Sequence, residues 1–393
     1  MKCIERDLAD RLKEMTSRFP LVFLTGPRKS GKSVLLKNSA LKNFEYTSLE
    51  DPTMRDFAVN DPKGFLNTFS ESVIIDDVHW AAALLPYIQA RIDEKGSPKT
   101  FIISGRLEAP VSKTISQLLG GRAVKLTLLP FSLSELAKEG WLPKTVNEWM
   151  YTGNYPELFS TTAEPQSFFH KYTSDLIELD IKPELKVHGF NKFRRFLDII
   201  AAYSANTINF SRLAEEMSID ARTANSWISI LEEMFILFRL APYRDYSGKR
   251  YVKTPKLYFY DSGFLCFLLG ITKPEELNFH QMRNQIFETA VISEAAKKYL
   301  NAGFRTKMYY LRDLDNKEKE VDLIEESPKA LKLTEIKLSQ TANEGYTKNL
   351  VYFSLQPDIL SPGKTISSQV IYDGSESLVF ENIPYINWKL PGE

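Results

Sequence analysis

Gly26-Pro27-Arg28-Lys29-Ser30-Gly31-Lys32-Ser33 is the stretch on which the reading of this chain turns. It follows the apolar run Leu21-Val22-Phe23-Leu24 and precedes Val34-Leu35-Leu36, so a strand enters it and a helix leaves it. The spacing G-x-x-x-x-G-K-[ST] between a strand and a helix marks a phosphate-binding loop. Gly26 and Gly31 admit backbone conformations that a Cβ forbids, which lets successive N–H groups turn toward one anion. The helix opening near Lys32 adds the positive end of its dipole. The expected ligands are ATP and Mg²⁺: residues Gly26 to Val34 surround the phosphates, Lys32 reaches the β- and γ-phosphates, and the Ser33 hydroxyl ligates the metal.

The flanking sequence supplies the rest of a nucleotide-binding sheet. Phe44-Glu45-Tyr46-Thr47-Ser48-Leu49 reads as a strand, and Asp51-Pro52 and Asp61-Pro62 as helix starts. Ser72-Val73-Ile74-Ile75-Asp76-Asp77 is an apolar run ending in two carboxylates, as a strand covered on both faces should be. Its end is the Walker B position, with Asp76 holding Mg²⁺ directly or through water and Asp77 orienting the attacking water. Thr100-Phe101-Ile102-Ile103-Ser104-Gly105 is a further buried strand. Alternating strands and helices predict an α/β parallel sheet with its ligand at the carboxyl ends of the strands.

Bulk properties bound the remainder. The chain has 393 residues, 43% of them hydrophobic and 25% charged, which describes a globular protein of two or three domains. Fifty basic residues cancel fifty acidic ones, so any surface that attracts nucleic acid must be local. The two cysteines, Cys3 and Cys266, exclude a disulfide framework. No signal peptide and no run of ~20 apolar residues is found, so a cytoplasmic protein with no membrane partner is expected.

Further along, the expected boundaries are 1–140 for the P-loop ATPase domain, 141–190 for a helical connector, 191–278 for a winged helix-turn-helix, and 279–393 for a C-terminal α+β domain. Asn209 and Asp220 read as caps of two short helices, and Leu237–Tyr260 as the hairpin that follows them. Arg222, Thr223, Asn225 and Ser226 are candidates to face a DNA groove. The hairpin carries Arg239, Arg244, Lys249, Arg250, Lys253 and Lys256 against Asp245 alone, with Tyr243, Tyr246 and Tyr251 between them. This is the locally basic patch suited to phosphate contacts, although winged helices serve equally as protein-binding modules.

In the last third, Glu288, Asp322 and the pair Glu335-x-Lys337 follow in order. Asp322 and Glu335 can share Mg²⁺, and Lys337 can position or activate a water. Strand parity puts Glu335 and Lys337 on the face of Leu331 and Leu333, an apolar stripe rather than a solvated one.

The passages Phe19–Arg28, Tyr46–Pro52, Leu128–Leu136, Gly153–Glu157 and Lys256–Gly263 resemble the predicted AAA+ superfamily ATPases of bacteria and archaea, in which a P-loop domain precedes a C-terminal domain of unknown function. That C-terminal domain resembles the PD-(D/E)xK, or restriction-endonuclease-like, fold, so Glu288, Asp322, Glu335 and Lys337 form a possible second site, active or vestigial. Where the family has Asp-Glu-Ile-Gln, this chain has Asp76-Asp77-Val78-His79, and where it has Thr-Gly-Ser, Ser104-Gly105-Arg106. The shorter Asp77 implies slow hydrolysis, or binding without much of it. Ser104 takes the sensor position. Arg122 matches the family's Gly-Arg and is either a charge-neutralising arginine, in cis or from a neighbouring subunit of an oligomer, or a structural one. The reading is an ATP-dependent switch for DNA or protein binding. The alternatives are an ATP-regulated, Mg²⁺-dependent DNA nuclease, a non-hydrolysing binding module, and a small-molecule kinase, which would leave the later regions without use.

Overall fold

A computed structural model describes residues 4–38, 41, 43–94, 99–105, 121–182, 190–243, 251–314, 316, 318–355 and 363–389. Two sheets organise it. The first has five parallel strands in the order β2-β3-β4-β1-β5: β1 (Leu21–Thr25), β2 (Phe44–Ser48), β3 (Ser72–Asp76), β4 (Phe101–Ser104) and β5 (Ala123–Thr127). Alternation along the strands divides their apolar side chains between two cores. Leu21, Phe23, Val73, Ile75, Phe101 and Ile103 lie on one face, and Val22, Leu24, Ile74 and Ile102 on the other. Coverage of both faces explains why β1 and β4 carry no polar alternation.

The helix starts follow the expected cap chemistry. Asp51 accepts from Thr53 N and Met54 N at the head of Pro52–Asn60, and Asp61 from Gly64 N at the head of Pro62–Asn67. In the middle of the chain Asn209 caps the helix Phe210–Met217 and Asp220 caps Ala221–Glu233. Ser218 between them takes a left-handed conformation with φ 50°. Trp227 on the second helix packs edge-on against Phe193 and Phe196.

The strands after these helices do not stand apart as a wing. β6 (Leu237–Pro242) and β7 (Lys256–Phe259) are antiparallel, and β6 also runs parallel to β8 (Met308–Arg312). They thereby extend a sheet formed by β9 (Glu320–Glu326), β10 (Ala330–Lys337), β11 (Thr365–Tyr372), β12 (Leu378–Phe380) and β13 (Ile383–Asn387). The eight strands run in the order β12-β13-β11-β10-β9-β8-β6-β7 and cross the division expected at residue 278. One apolar core accordingly reaches from Phe131 and Trp149 through Leu237 and Phe264 to Ile336 and Trp388.

The long helix Arg283–Asn301 joins the two sheets. Its Glu294 accepts from Leu133 N at 2.6 Å and its Asn301 from Leu129 N at 3.2 Å, both just beyond β5, while Glu288 on the same helix meets β7. Asp261 joins two of the motifs noted in the sequence, accepting from Asn154 N at 2.8 Å and Phe264 N at 2.9 Å. A Cβ on Gly153 would lie 2.2 Å from Asp261 Oδ1, and one on Gly263 2.6 Å from the Thr152 backbone, so both glycines are required by close approach.

Candidate functional site

The sheet order brings the P-loop at the end of β1, Ser104 at the end of β4 and Asp76 at the end of β3 to one edge, with Ser104 between the other two. Gly26 has φ 148° and Gly31 φ 96°. A Cβ on Gly26 would fall 2.1 Å from Leu128 O, which leaves no alternative residue there. Lys32 Nζ donates to the carbonyls of Gly26 (3.0 Å) and Pro27 (2.8 Å), which keeps the ammonium inside the loop. The Thr25 and Ser30 hydroxyls are buried with no hydrogen-bond partner among the described residues. A concave loop with a captive ammonium and orphaned hydroxyls fits a phosphate group. Ser33 lies in the first turn of the helix Lys32–Asn38, and Val34 beside it is exposed.

Asp76 is buried and heavily solvated by the protein itself. Tyr46 Oη donates to its Oδ2 at 2.8 Å, while the Ser104 hydroxyl and the Asp77 N–H (3.2 Å) donate to Oδ1. Burial, followed by the neighbouring Asp76 charge, raises the Tyr46 pKa, so this phenol stays protonated and remains a donor. A carboxylate fixed this firmly suits contact with a Mg²⁺-bound water better than the role of a mobile inner ligand. Asp77 sits in a left-handed conformation with φ 60°, and His79 Nδ1 is 3.9 Å from its Oδ1.

The side chains of Arg28 and Lys29 do not turn toward the loop's interior. Arg28 pairs with Asp180 through Nε (3.2 Å) and a terminal nitrogen (2.9 Å), and Lys29 with Glu157 at 2.8 Å. Asp180 lies in a single π-helical turn, Leu176–Ile181, following the helix Pro165–Asp175. Insertions of this kind re-aim one side chain out of helical register. Arg6, buried beneath the loop, donates to Ser30 O (2.8 Å), Leu129 O (2.6 Å) and Glu135 Oε1 (2.8 Å). Tyr46, Arg6, Asp180 and Glu157 carry no local signal of these roles in the sequence, because their partners are far away in it.

Arg122 is not brought to the P-loop of its own chain. It precedes β5, whose Ala123 pairs with Leu21 at the amino end of β1, and its guanidinium is paired with Asp93. The length of β1 separates that edge from the loop by roughly 15 Å. Arg106 lies outside the described residues.

A second cluster forms where β7, β9, β10 and the helix Arg283–Asn301 meet. Lys256 Nζ contacts Glu288 Oε1 at 3.0 Å and also Glu320, whose other oxygen takes Arg312. Tyr258 Oη donates to Glu288 Oε1 at 2.6 Å. Asp322 Oδ2 accepts from Ile336 N at 2.8 Å, replacing a ladder carbonyl where the β9–β10 pairing ends. Lys337 Nζ lies 2.6 Å from Glu335 Oε1, whereas Glu335 Oε2 is buried with no hydrogen-bond partner among the described residues. Burial, with Glu335 and Glu288 nearby, holds the Asp322 carboxyl well above the usual range, and burial raises Glu335. Burial works against the Lys256 charge, but Tyr258, Glu288, Glu320 and Asp322 outweigh it and hold its pKa well above the ordinary lysine value. The four residues expected here, Glu288, Asp322, Glu335 and Lys337, therefore do converge. Among the described residues no three carboxylate, histidine or cysteine groups are arranged to grip a metal ion as they stand.

The basic hairpin needs correction. Lys256 is 3% exposed and belongs to the carboxylate cluster, and Tyr243 is buried. Arg239 is engaged by Glu232 (2.9 Å), Ser229 (2.9 Å) and Asn225 (3.1 Å). None of these three side chains is free for a phosphate or a base. Arg222, Asn225, Ser226 and Lys253 are exposed, Thr223 is half-buried, and Arg244, Asp245, Tyr246, Lys249 and Arg250 lie outside the described residues.

Three family models match the chain in succession: an AAA domain over residues 18–137, a Domain of unknown function (DUF8612) over 143–275, and a Domain of unknown function (DUF4143) over 283–390. An uncharacterized protein of Mycobacterium tuberculosis is 26% identical over 268 residues, 68% of this chain and 60% of the relative, so the match leaves much of that longer protein uncovered. One of Methanocaldococcus jannaschii is 21% identical, covering 88% of this chain and 87% of its own. Among solved structures, a Walker-type ATPase of Pyrococcus abyssi is 15% identical with a TM-score of 0.44, covering 67% of this chain and 94% of that one. The chain thus carries an AAA-type P-loop ATPase domain at its amino-terminal side, followed at its carboxyl-terminal side by DUF4143. No helix among the described residues is long and apolar enough to cross a membrane.

Proposed function

We propose that the chain binds Mg²⁺-ATP at the P-loop, hydrolyses it slowly, and uses the nucleotide to control an arrangement that engages DNA or a protein. The observation that carries this reading is the alignment of P-loop, Ser104 and Asp76 at one sheet edge, with the loop's own side chains tied to the region that follows. Lys32 and the loop N–H groups would bind the phosphates, and Ser33 and the water shell of Asp76 would hold Mg²⁺, which neutralises charge on the transferring phosphoryl group. Asp77 would orient the attacking water, one methylene short of the usual glutamate. Ser104 and Tyr46 hold Asp76 in place. Any phosphate-neutralising role for Arg122 requires a neighbouring subunit, given its distance from the loop in cis. Arg28–Asp180 and Lys29–Glu157 would transmit the state of the loop to the middle region. Arg222, Asn225, Lys249, Arg250 and Lys253 would provide the nucleic-acid contacts of the engaged form, acting in the cytoplasm. The test is Mg²⁺-dependent ATP hydrolysis by wild type, Lys32→Ala and Asp77→Glu. Turnover abolished by Lys32→Ala and raised by Asp77→Glu supports the reading, whereas turnover indifferent to Lys32 rejects it.

A second reading, cleavage of nucleic-acid phosphodiesters with a divalent ion at Asp322 and Glu335, is favoured by the orphaned Glu335 Oε2 beside a carboxyl of raised pKa. Lys337 would position the water there. Mg²⁺- or Mn²⁺-dependent DNA cleavage that disappears in Asp322→Ala supports it, and cleavage that persists points to contamination.

A further inference from the structure

Lys256 is an unusual neighbour for a carboxylate cluster. It comes from β7, is 3% exposed, and bridges Glu288 on the long helix and Glu320 on β9. Tyr258, two residues along the same strand, fixes the Glu288 oxygen that Lys256 contacts. Four carboxylates, those of Glu288, Glu320, Asp322 and Glu335, thus face three cations, those of Lys256, Arg312 and Lys337. With every group ionised, the count is four negative charges against three positive, a net of −1. One divalent ion would bring it to +1, and the same ion with Lys256 removed would bring it to zero.

We propose that Lys256 is a tethered cation that competes with a divalent ion for this cluster and so lowers the cluster's affinity for metal. The ammonium supplies the positive charge that Glu288 and Glu320 need when no metal is bound, and it opposes a metal's entry. β7 and the strands of Asp322 and Glu335 belong to one sheet and share one apolar core, so the ammonium is held at the cluster by the fold itself. The proposal rests on the reading of Asp322 and Glu335 as a divalent-ion site.

The test is Mn²⁺ titration of the nucleotide-free full chain by calorimetry, with folding followed by circular dichroism. Lys256→Met is expected to bind Mn²⁺ roughly tenfold or more tightly than wild type, since one unit charge removed ~6 Å from a divalent ion is worth about tenfold even at the dielectric of bulk water, ~80. Lys256→Arg, which keeps the charge, is expected to bind like wild type. Folded Lys256→Met with equal or weaker Mn²⁺ affinity overturns the proposal. So does a Lys256→Met chain that Mn²⁺ cannot fold, because a replaceable cation should be replaced. Failure of the underlying site reading looks different: Mn²⁺ affinity in Lys256→Met/Glu335→Gln would equal that in Lys256→Met.

Discussion

Replacing Arg6 by methionine probes the connection between the P-loop and the rest of the chain. Arg6 is 6% exposed and makes three hydrogen bonds, of which the one to Glu135 closes a fully buried ion pair. Removing one member of such a pair costs about 3–5 kcal/mol because the other charge is left uncompensated. Glu135 keeps donors from Asp7 N, Ser132 N and Asn301 Nδ2, so the lower end, about 3 kcal/mol, applies. At ~1–2 °C per kcal/mol for a chain of 393 residues, the melting temperature should fall by roughly 3–6 °C. Glu135→Gln should cost about 2 kcal/mol, since Arg6 keeps two backbone carbonyls. The double variant should then be at least ~2 kcal/mol better than the sum, because the second change removes the charge stranded by the first. Scanning calorimetry of the four chains gives the cycle. Additivity within ~0.5 kcal/mol would refute the argument that Arg6 and Glu135 act as a pair. ATP affinity should divide the single variants too, falling more in Arg6→Met, which releases Ser30 O, than in Glu135→Gln, which leaves that bond in place.

Three further outcomes follow from the geometry. Tyr46→Phe removes one donor from Asp76 and should lower kcat for ATP roughly tenfold and raise the Mg²⁺ requirement while leaving ATP affinity in EDTA unchanged; an unaltered Mg²⁺ dependence contradicts this. Asp180→Asn breaks the paired contact with Arg28 and should destabilise the chain by about 1–2 kcal/mol, read as a lower melting temperature; no change would mean that the contact is dispensable. Asp322 has a raised folded pKa, so its stabilising contribution is complete below the unfolded value near 4 and is lost as pH rises toward the folded value. In EDTA, Asp322→Asn should remove a slope of up to ~1.4 kcal/mol per pH unit, so its advantage over wild type in urea unfolding grows from pH 4 to pH 7; a constant difference rejects the raised pKa.

What could be read in the sequence was local. The P-loop spacing, the buried runs ending at Asp76 and Ser104, and the caps Asp51, Asp61, Asn209 and Asp220 each depend on neighbours within a few residues, and each is found in the fold. The order Glu288, Asp322, Glu335, Lys337 was legible for a related reason: a period of two along β10 fixes which side chains share a face. Arg6, Tyr46 and Asp180 carried no such signal, because each depends on a partner in another element. Lys256 misleads for the same reason in reverse. Counted with its sequence neighbours it belongs to a basic hairpin, whereas its true neighbours are acids on a helix and a strand much later in the chain.

Calorimetric titration of ATP into wild type and Lys32→Ala in Mg²⁺ asks whether the P-loop binds Mg²⁺-ATP through Lys32. Wild type should bind saturably with one site per chain, and the folded variant roughly a hundredfold more weakly through loss of a charge-assisted contact to phosphate. Equal ATP affinity in the two chains would mean that Lys32 does not bind the phosphates.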